Sequence, residues 1–164
     1  MTTFPLAPMN GPMRALTGML LVVSGVLGGA GVVVPLVRVP MLVIALTTLA
    51  LYPIVWLGCR PTRFEIDAAA LRIVWPLYTR TISRQAVRGA RIVDARAFRQ
   101  EHGWAMRIGV GGLFGAFGLL KTRTATFSMW VSRSEGLVLV TLADARPLLV
   151  TPEDPERFVA ALLA

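Results

Sequence analysis

The chain has 164 residues, of which 55% are hydrophobic, and it carries a formal net charge of +8 at pH 7. A mean hydropathy of +0.65 excludes an ordinary water-soluble chain unless its core is unusually large, and otherwise places part of the chain in lipid. The charges favour lipid, because residues 1–59 contain only Arg14 and Arg38 and no acid, whereas residues 60–164 contain every other charged residue. We therefore predict two parts: an N-terminal segment with an apolar hairpin over residues 1–59, and a water-exposed domain over residues 60–164.

Two apolar stretches in the first part have about the length of membrane-spanning helices. Residues 15–37 and 41–58 carry no charge, and a helix of roughly 20 apolar residues crosses a bilayer. The short segment 38–40 between them predicts a tight antiparallel hairpin, and Pro53 is expected to kink the second helix. A cleaved signal peptide is the weaker interpretation of the first stretch, because such peptides have only about 7–15 apolar residues.

The arginine distribution predicts the orientation of this hairpin. Nine arginines lie between residues 60 and 99, whereas only Arg38 lies at the predicted tip. Positively charged residues remain on the cytoplasmic side of a membrane. We therefore expect both termini in the cytoplasm, for a chain in a bacterial inner membrane.

Small residues on the first helix predict close helix packing. Gly25, Gly28 and Gly29 are near one another, and the spacing Gly25-x-x-x-Gly29 lets a neighbouring helix approach closely. The second helix of the same hairpin is the favoured partner for this surface.

The second part changes from apolar blocks to the alternating pattern of β-strands. The pattern predicts seven short strands, near residues 64–67, 71–75, 78–83, 89–95, 124–132, 137–142 and 147–151. The last two are nearly continuous apolar runs, as expected of strands buried on more than one side. A C-terminal helix then begins after Asp154, with Pro155 at its first position and Glu156 in its first turn.

Seven strands followed by one helix resemble the layout of the pleckstrin homology (PH) fold, and two motifs extend the resemblance to bacterial PH-domain proteins. These are WAMRIGVGGLFG, which starts at Trp104, and LLVTPEDPERFV, which starts at Leu148 and has Thr151 where that family typically has serine. The resemblance covers about residues 60–164, and such proteins often carry two N-terminal membrane helices. It implies a membrane-anchored α+β fold, with a transmembrane hairpin before a seven-stranded PH-like β-barrel or sandwich capped by a C-terminal helix. It also implies a membrane-tethered adaptor role.

The glycine-rich residues 107–123 (RIGVGGLFGAFGLLKTR) have three open interpretations. A phosphate-binding loop is not among them, because Lys121 follows a leucine where that motif requires glycine. The segment could be an irregular connection with glycines at its bends, a surface for a protein partner, or an interfacial segment on the bilayer. The residues for lipid or partner contact are then Arg107, Leu113, Phe114, Phe117, Leu120, Lys121 and Arg123.

Arginines that precede this segment indicate attraction to anionic lipid. Eukaryotic PH domains bind phosphoinositides through basic residues on their first two strands and the loop between them, and the resemblance places Arg63, Arg72 and Arg80 in that region. The matching turn, residues 68–70, is all alanine, so we expect generic attraction of these arginines and Arg60 to anionic lipid instead of headgroup-specific binding. A solvated face that satisfies the positive-inside rule is equally consistent.

The pattern of polar residues offers little for catalysis. His102 and Cys59 are each the only residue of their type, and the acids show no paired arrangement. We therefore predict no enzyme activity, no cofactor, no metal and no nucleic-acid partner. The leading hypothesis is a scaffolding or accessory subunit in the lipid bilayer, bound to other membrane-protein subunits of a respiratory or photosynthetic type of complex. The alternative is a stand-alone tethered sensor of anionic lipid.

Overall fold

The structure is a computed structural model that describes residues 1–164. Its helices are α1 (Gly11–Val33), α2 (Arg38–Ile54), α3 (Ala95–His102) and α4 (Pro155–Leu163). Its strands are β1 (Thr2–Pro5), β2 (Arg63–Ile66), β3 (Ala70–Val74), β4 (Thr79–Ser83), β5 (Val87–Val93), β6 (Ala105–Gly111), β7 (Ala116–Thr122), β8 (Thr126–Val131), β9 (Leu137–Leu142) and β10 (Leu148–Val150).

The strands form two sheets that pack as a sandwich. The first has the order β1-β2-β3-β4, and the second has the order β5-β9-β10-β8-β7-β6. All neighbours are antiparallel except β10 and β8, which run parallel. The predicted architecture of two N-terminal helices, a β-sandwich and a C-terminal helix is confirmed. The sandwich has ten strands instead of seven. The four residues of β1 give too short a pattern, and the glycines of residues 107–123 left β6 and β7 unassigned in the sequence.

The N-terminal strand β1 belongs to the sandwich, although the sequence groups it with the hairpin. It pairs antiparallel with β2, which places Phe4 opposite Phe64. The chain stays attached after the strand, because the Leu6 N–H donates to the carbonyl of Thr62 at 3.1 Å and the Ala7 N–H donates to that of Thr151 at 2.9 Å. Burial of the Phe4 and Leu6 side chains accounts for this placement.

Helices α1 and α2 form the predicted hairpin, with boundaries that proline sets. Pro35 ends α1, since the preceding Val34 adopts an extended conformation (φ −106°, ψ 102°) as residues before proline do. The turn is therefore at residues 34–37 instead of the predicted 38–40. Pro40 lies in the first turn of α2, where no backbone donor is needed. Both helices, Gly11–Val33 and Pro35–Cys59 with its flanking turns, are long and apolar enough to be candidate membrane spans.

The end of α2 widens into a π-helical turn, residues 55–59, just after Pro53. The Arg60 N–H closes this turn by donating to the carbonyl of Val55 at 3.0 Å. Proline provides no N–H for the helical bond to the carbonyl four residues earlier, so α2 loses one bond in the turn just before the π-helical one. Val55 is buried against the sandwich, so the domain begins to contact the hairpin here.

The main core lies between the two sheets and under α4. Phe158 on α4 meets the rings of Phe4 and Phe64 edge-on, at centroid distances of 5.3 and 5.7 Å. The helix begins as predicted, because the Asp154 side chain accepts a hydrogen bond from the Arg157 N–H at 3.0 Å.

A second core lies on the outer face of the six-stranded sheet, under a helix that the sequence did not indicate. Helix α3 interrupts the predicted strand 89–95, because Asp94 caps it by accepting from the N–H groups of Arg96 and Ala97. Phe98 is its one buried side chain and meets Phe127 edge-on at 5.1 Å. A single apolar residue in a polar helix gives no readable periodicity.

Candidate functional site at the base of the hairpin

The glycine-rich segment folds into a β-hairpin, β6–β7, whose tip is residues 112–115. The Gly112 N–H closes the tip by donating to the carbonyl of Gly115 at 2.9 Å. Halfway along the hairpin, Gly109 pairs with Gly118, and both have positive φ values, 135° and 130°. A Cβ on Gly109 would collide with the carbonyl oxygen of Phe117, and a Cβ on Gly118 would collide with that of Ile108. These two glycines are therefore required by the close approach of the strands.

The tip of this hairpin docks onto helix α1 through Thr17. The Thr17 hydroxyl donates to the carbonyl of Gly112 at 3.2 Å and accepts from the N–H of Phe114 at 3.1 Å. Thr17 is itself buried, and its carbonyl accepts from the Tyr52 hydroxyl on α2 at 2.6 Å. Thr17 therefore bonds both to the second transmembrane-candidate helix, α2, and to the tip of the β6–β7 hairpin in the sandwich.

An aromatic cluster completes this junction. Phe114 meets Tyr52 and Trp56 edge-on, at centroid distances of 5.7 and 4.9 Å. Phe114 has a φ of 61°, a conformation that costs a residue with a side chain roughly 1–3 kcal/mol and persists only where the surroundings enforce it. The hydrogen bond to Thr17 and the two ring contacts hold Phe114 in this conformation.

Arg60 lies on the same cluster, at the end of the second candidate span. Its guanidinium carbon is 4.4 Å from the ring centre of Trp56, a cation–π geometry. Burial lowers the pKa of Arg60 from its usual value. Its Nε atom is buried and has no hydrogen-bond partner.

A second loop, between β3 and β4, fixes the end of α2. The indole N–H of Trp75 donates to the carbonyl of Cys59 at 3.1 Å, and the Tyr78 hydroxyl donates to that of Gly58 at 3.1 Å. The two rings stack at 4.4 Å with an interplanar angle of 13°. Desolvation raises the pKa of the Tyr78 hydroxyl.

The residues that the sequence proposed for lipid or partner contact divide into three groups. Leu113, Phe117 and Leu120 are buried core residues and are not accessible to a ligand. Phe114 belongs to the junction described above. Among the basic residues, Arg107, Lys121 and Arg123 are exposed on the β6–β7 hairpin and form no salt bridge.

The arginines of the first sheet are mostly engaged within the domain. Arg63 pairs with Glu65 at 2.7 Å, and Arg72 pairs with Asp67 at 3.0 Å. Arg80 lies over the ring of Trp130 at 5.7 Å. The structure therefore does not gather Arg60, Arg63, Arg72 and Arg80 into one free basic face.

The predicted helix-packing glycines point in different directions. Gly28 lies against α2, where a Cβ would be 3.7 Å from that of Ala45. Gly31, which belongs to the same predicted small-residue face, approaches α2 more closely, since a Cβ there would be 3.1 Å from side-chain atoms of Met41 and Leu42. A Cβ on Gly25 or Gly29 would meet no atom within 4 Å, although Gly25 lines a cavity between α1 and α2 beside Gly28.

The potentially reactive side chains lie away from this junction. His102 packs between the rings of Phe98 and Phe127, and its Nδ1 is 2.8 Å from the Thr124 hydroxyl. The carboxylate of Glu101 accepts from Arg91 through both oxygens at 2.6 Å, and this hydrogen bonding lowers the pKa of Glu101. No three metal-ligating side chains come together in the structure.

A family model described as a bacterial PH domain matches residues 62–164, well over half of the chain. The chain belongs to the bacterial PH domain family. The resemblance inferred from the sequence is thus confirmed for this part of the chain. Comparisons with curated proteins and with solved structures found no match.

The PH domain of this chain incorporates residues outside the family match. Strand β1 precedes the matched range by more than fifty residues and still forms an edge of the first sheet.

Within the matched range, the threonine of the helix-start motif has a structural role. Thr151 is buried, and its hydroxyl accepts from the N–H of Ser132 at 2.9 Å. Sequence reasoning missed Thr17, because no local pattern relates it to a glycine 95 positions later.

Proposed function

We propose that this PH domain protein is a non-enzymatic, membrane-anchored accessory subunit that docks within a larger membrane assembly. The observation that carries the proposal is the contact of Thr17 with the tip of the β6–β7 hairpin, at Gly112 and Phe114. This contact fixes the PH domain on its helical hairpin. A subunit that holds partners in a defined geometry needs such a fixed orientation, whereas a tethered sensor works equally well on a mobile link.

The surface of the helical hairpin supports insertion into a bilayer. Both candidate spans have a mean hydropathy of 2.0 over their most apolar 18 residues. Only 17% of those residues are buried in the first span and 11% in the second. A core helix of a soluble protein would be mostly buried. A cleaved signal peptide fits poorly too, because cleavage after α1 would remove strand β1 from the first sheet.

Strand pairing supports the proposed topology. Because β1 lies before the helical hairpin and pairs with β2 after it, both ends of the hairpin lie on the same side of the bilayer. The arginine-rich PH domain is on that side, which the positive-inside rule assigns to the cytoplasm. We place the protein in a bacterial inner membrane, with respiratory or photosynthetic complexes as examples of the host assembly.

The polar chemistry supports a role without catalysis. The one histidine is packed against two phenylalanine rings, and Asp94 and Asp154 cap helices. Glu65, Asp67 and Glu101 are paired with arginines.

Native purification tests the proposal. The protein is extracted at its natural expression level in a mild detergent, and the particle mass and the co-purifying chains are measured by native mass spectrometry. We expect a particle much larger than one chain, with partner chains in fixed stoichiometry. A particle that contains only this chain and lipid would contradict the accessory-subunit role.

A second candidate function, attraction to anionic lipid, has one observation in its favour. Arg60 directly follows the second candidate span, where a basic side chain would meet lipid phosphates, and its buried Nε lacks a partner. The test is binding of the full-length protein to phosphatidylglycerol, measured by retained lipid after purification. Enrichment of anionic lipid that is lost in Arg60→Gln and kept in Arg88→Gln supports this function, and equal retention in both contradicts it.

A further inference from the structure

We propose that the edge strand β6 is a docking surface for an extended, acidic segment of a partner protein, which adds to the six-stranded sheet as a further strand. This inference rests on the proposed function, because it specifies where an accessory subunit would receive its partner. Strand addition to an exposed sheet edge is a general mode of peptide recognition.

The backbone of β6 is open on one side. The strand lies at the end of the order β5-β9-β10-β8-β7-β6, so only β7 pairs with it. An unpaired edge presents a row of N–H and C=O groups that another strand can use. With its seven residues, β6 is long enough for a typical strand pairing.

The other sheet edges are less suited to this role. Strands β1 and β4 are shorter, and the apolar side chains that could anchor a partner, Phe4 and Ile82, are buried in the core. Strand β5, at the opposite edge of the larger sheet, is contacted by α4 and contains a register shift near Gly89.

An apolar stripe runs along one face of β6. Trp104, Met106 and Ile108 alternate along the chain and are 83%, 49% and 49% exposed. Because alternate residues of a strand share a face, Met106 and Ile108 lie on one face of β6. Trp104 directly precedes the strand and adds a third exposed apolar side chain at its start. An added strand would cover this stripe with its own apolar side chains. Binding would then be stabilised by burial of apolar surface as well as by backbone hydrogen bonds.

The charge around β6 selects an acidic partner. Residues 104–123 contain Arg107, Lys121 and Arg123 and no acid. Lys121 lies opposite Met106 in the strand register, on the same face as the apolar stripe, while Arg107 lies on the opposite face. On an added strand with alternating acidic and apolar side chains, the apolar ones would meet the stripe and the acidic ones would meet Arg107.

Two other occupants fit less well. A second copy of β6 would bring the same basic side chains together, and like charges on paired strands are unfavourable. A bilayer could cover the apolar stripe, but its hydrocarbon cannot bond to the open backbone edge, and lipid-exposed sheet edges are avoided for that reason.

A peptide-binding experiment on the full-length protein tests the inference. The protein is placed in nanodiscs of zwitterionic lipid, and the probe is a fluorescein-labelled peptide of four Val-Glu repeats, followed by fluorescence anisotropy. We expect Arg107→Glu and Trp104→Ala each to weaken binding by about tenfold or more. The matched control is Arg88→Glu, the same charge reversal at an exposed position of the edge strand β5, which should change affinity less than about twofold.

Further probes separate strand addition from simple charge attraction. A peptide of the same sequence with alternate backbone nitrogens methylated keeps its charge but loses donors, and it should bind at least about tenfold more weakly. Equal binding of both peptides, or equal losses in Arg107→Glu and Arg88→Glu, would overturn the inference. Formation of a dimer that Arg107→Glu strengthens would also overturn it, because the edge would then pair with a second copy.

The same variants distinguish this inference from the proposed function. If the native complex forms with wild-type protein and survives in Arg107→Glu, the β6 surface is wrong and the accessory-subunit role stands. If no native complex exists while the peptide binds with the expected selectivity, the strand-addition surface stands and the accessory-subunit role is wrong.

Discussion

The hydroxyl of Thr17 accepts a hydrogen bond from the backbone N–H of Phe114, which lies 97 positions later in the chain, at 3.1 Å. The same hydroxyl donates to the carbonyl of Gly112. A residue within a candidate membrane span therefore holds the tip of a β-hairpin in the PH domain. This pair helps to fix the orientation of the domain relative to its helices, together with the hydrogen bonds of Trp75 and Tyr78 to the end of the second candidate span.

Thr17→Val tests the pair with little change in side-chain shape. The substitution removes the hydroxyl and leaves the N–H of Phe114 without a partner in a buried site, so the protein should lose roughly 1–3 kcal/mol of unfolding free energy. The measurement is the unfolding of the full-length protein in detergent. Thr48→Val is the matched control, because the Thr48 hydroxyl bonds only to the Ile44 carbonyl of its own helix. This variant should lose little unfolding free energy.

Substitution of the paired glycines should distort the β6–β7 hairpin. In Gly118→Ala the new methyl group meets the carbonyl of Ile108 and forces an unfavourable positive φ, which should cost about 1–3 kcal/mol. Gly89→Ala on β5 is the control, because its methyl group enters open space and φ is not in the positive range. Comparable unfolding midpoints for the two variants would show that the close approach at Gly118 is wrong.

Strand β1 should contribute to the stability of the PH domain despite its place before the helices. Phe4→Ala removes a buried ring that contacts Phe158, and it should cost about 3–5 kcal/mol. Thr3→Ala, at the neighbouring exposed position, should leave stability nearly unchanged. Hydrogen exchange of residues 63–66, measured in both variants, reports on the first sheet directly. If Phe4→Ala leaves that exchange unaltered, β1 does not pair with β2.

The turn at Asp67 should make stability depend on pH in the acid range. The N–H groups of Ala69 and Ala70, and then Arg72, hold the pKa of the Asp67 carboxyl below its ordinary value of 3.8. A carboxyl with a lowered pKa in the folded state stabilises the fold above its ordinary pKa, and that contribution is lost as the pH falls through 3.8 toward the folded value.

Asp67→Asn should therefore flatten the acid part of the stability curve. The amide oxygen can still accept from the turn, but it has no proton to gain between pH 5 and pH 3. The measurement is the unfolding midpoint of the wild type and the variant across this range. Asp144→Asn is a control for charge removal at another exposed turn. An identical acid slope in wild type and Asp67→Asn would contradict the assigned hydrogen bonds.

Local patterns predict those parts of the fold that local forces determine. A continuous apolar run located β9, and the Asp154-Pro155-Glu156 start located α4 to the residue, because a helix cap acts over one turn. Strand β1 escaped prediction since four residues that include Pro5 carry too little pattern. Helix α3 escaped because it buries only Phe98.

The candidate site was harder to predict than the fold for a physical reason. The glycines of residues 107–123 showed that the backbone bends there, but not that Gly109 and Gly118 face each other. Which apolar side chains of the segment face inward depends on the strand register, so Leu113, Phe117 and Leu120 could not be distinguished from the exposed Met106 and Ile108. The Thr17 contact depends on how the whole domain packs onto α1.

One distance measurement tests the fixed orientation of the PH domain most directly. Spin labels are attached at Leu36→Cys, at the tip of the helical hairpin, and at Arg146→Cys, on the surface of the domain, with Cys59→Ser as background. The distance distribution is measured by pulsed electron paramagnetic resonance in lipid nanodiscs. A single narrow distribution that broadens in Thr17→Val is the predicted result. A broad distribution in the wild type would contradict the account, because the domain would then move freely on its anchor.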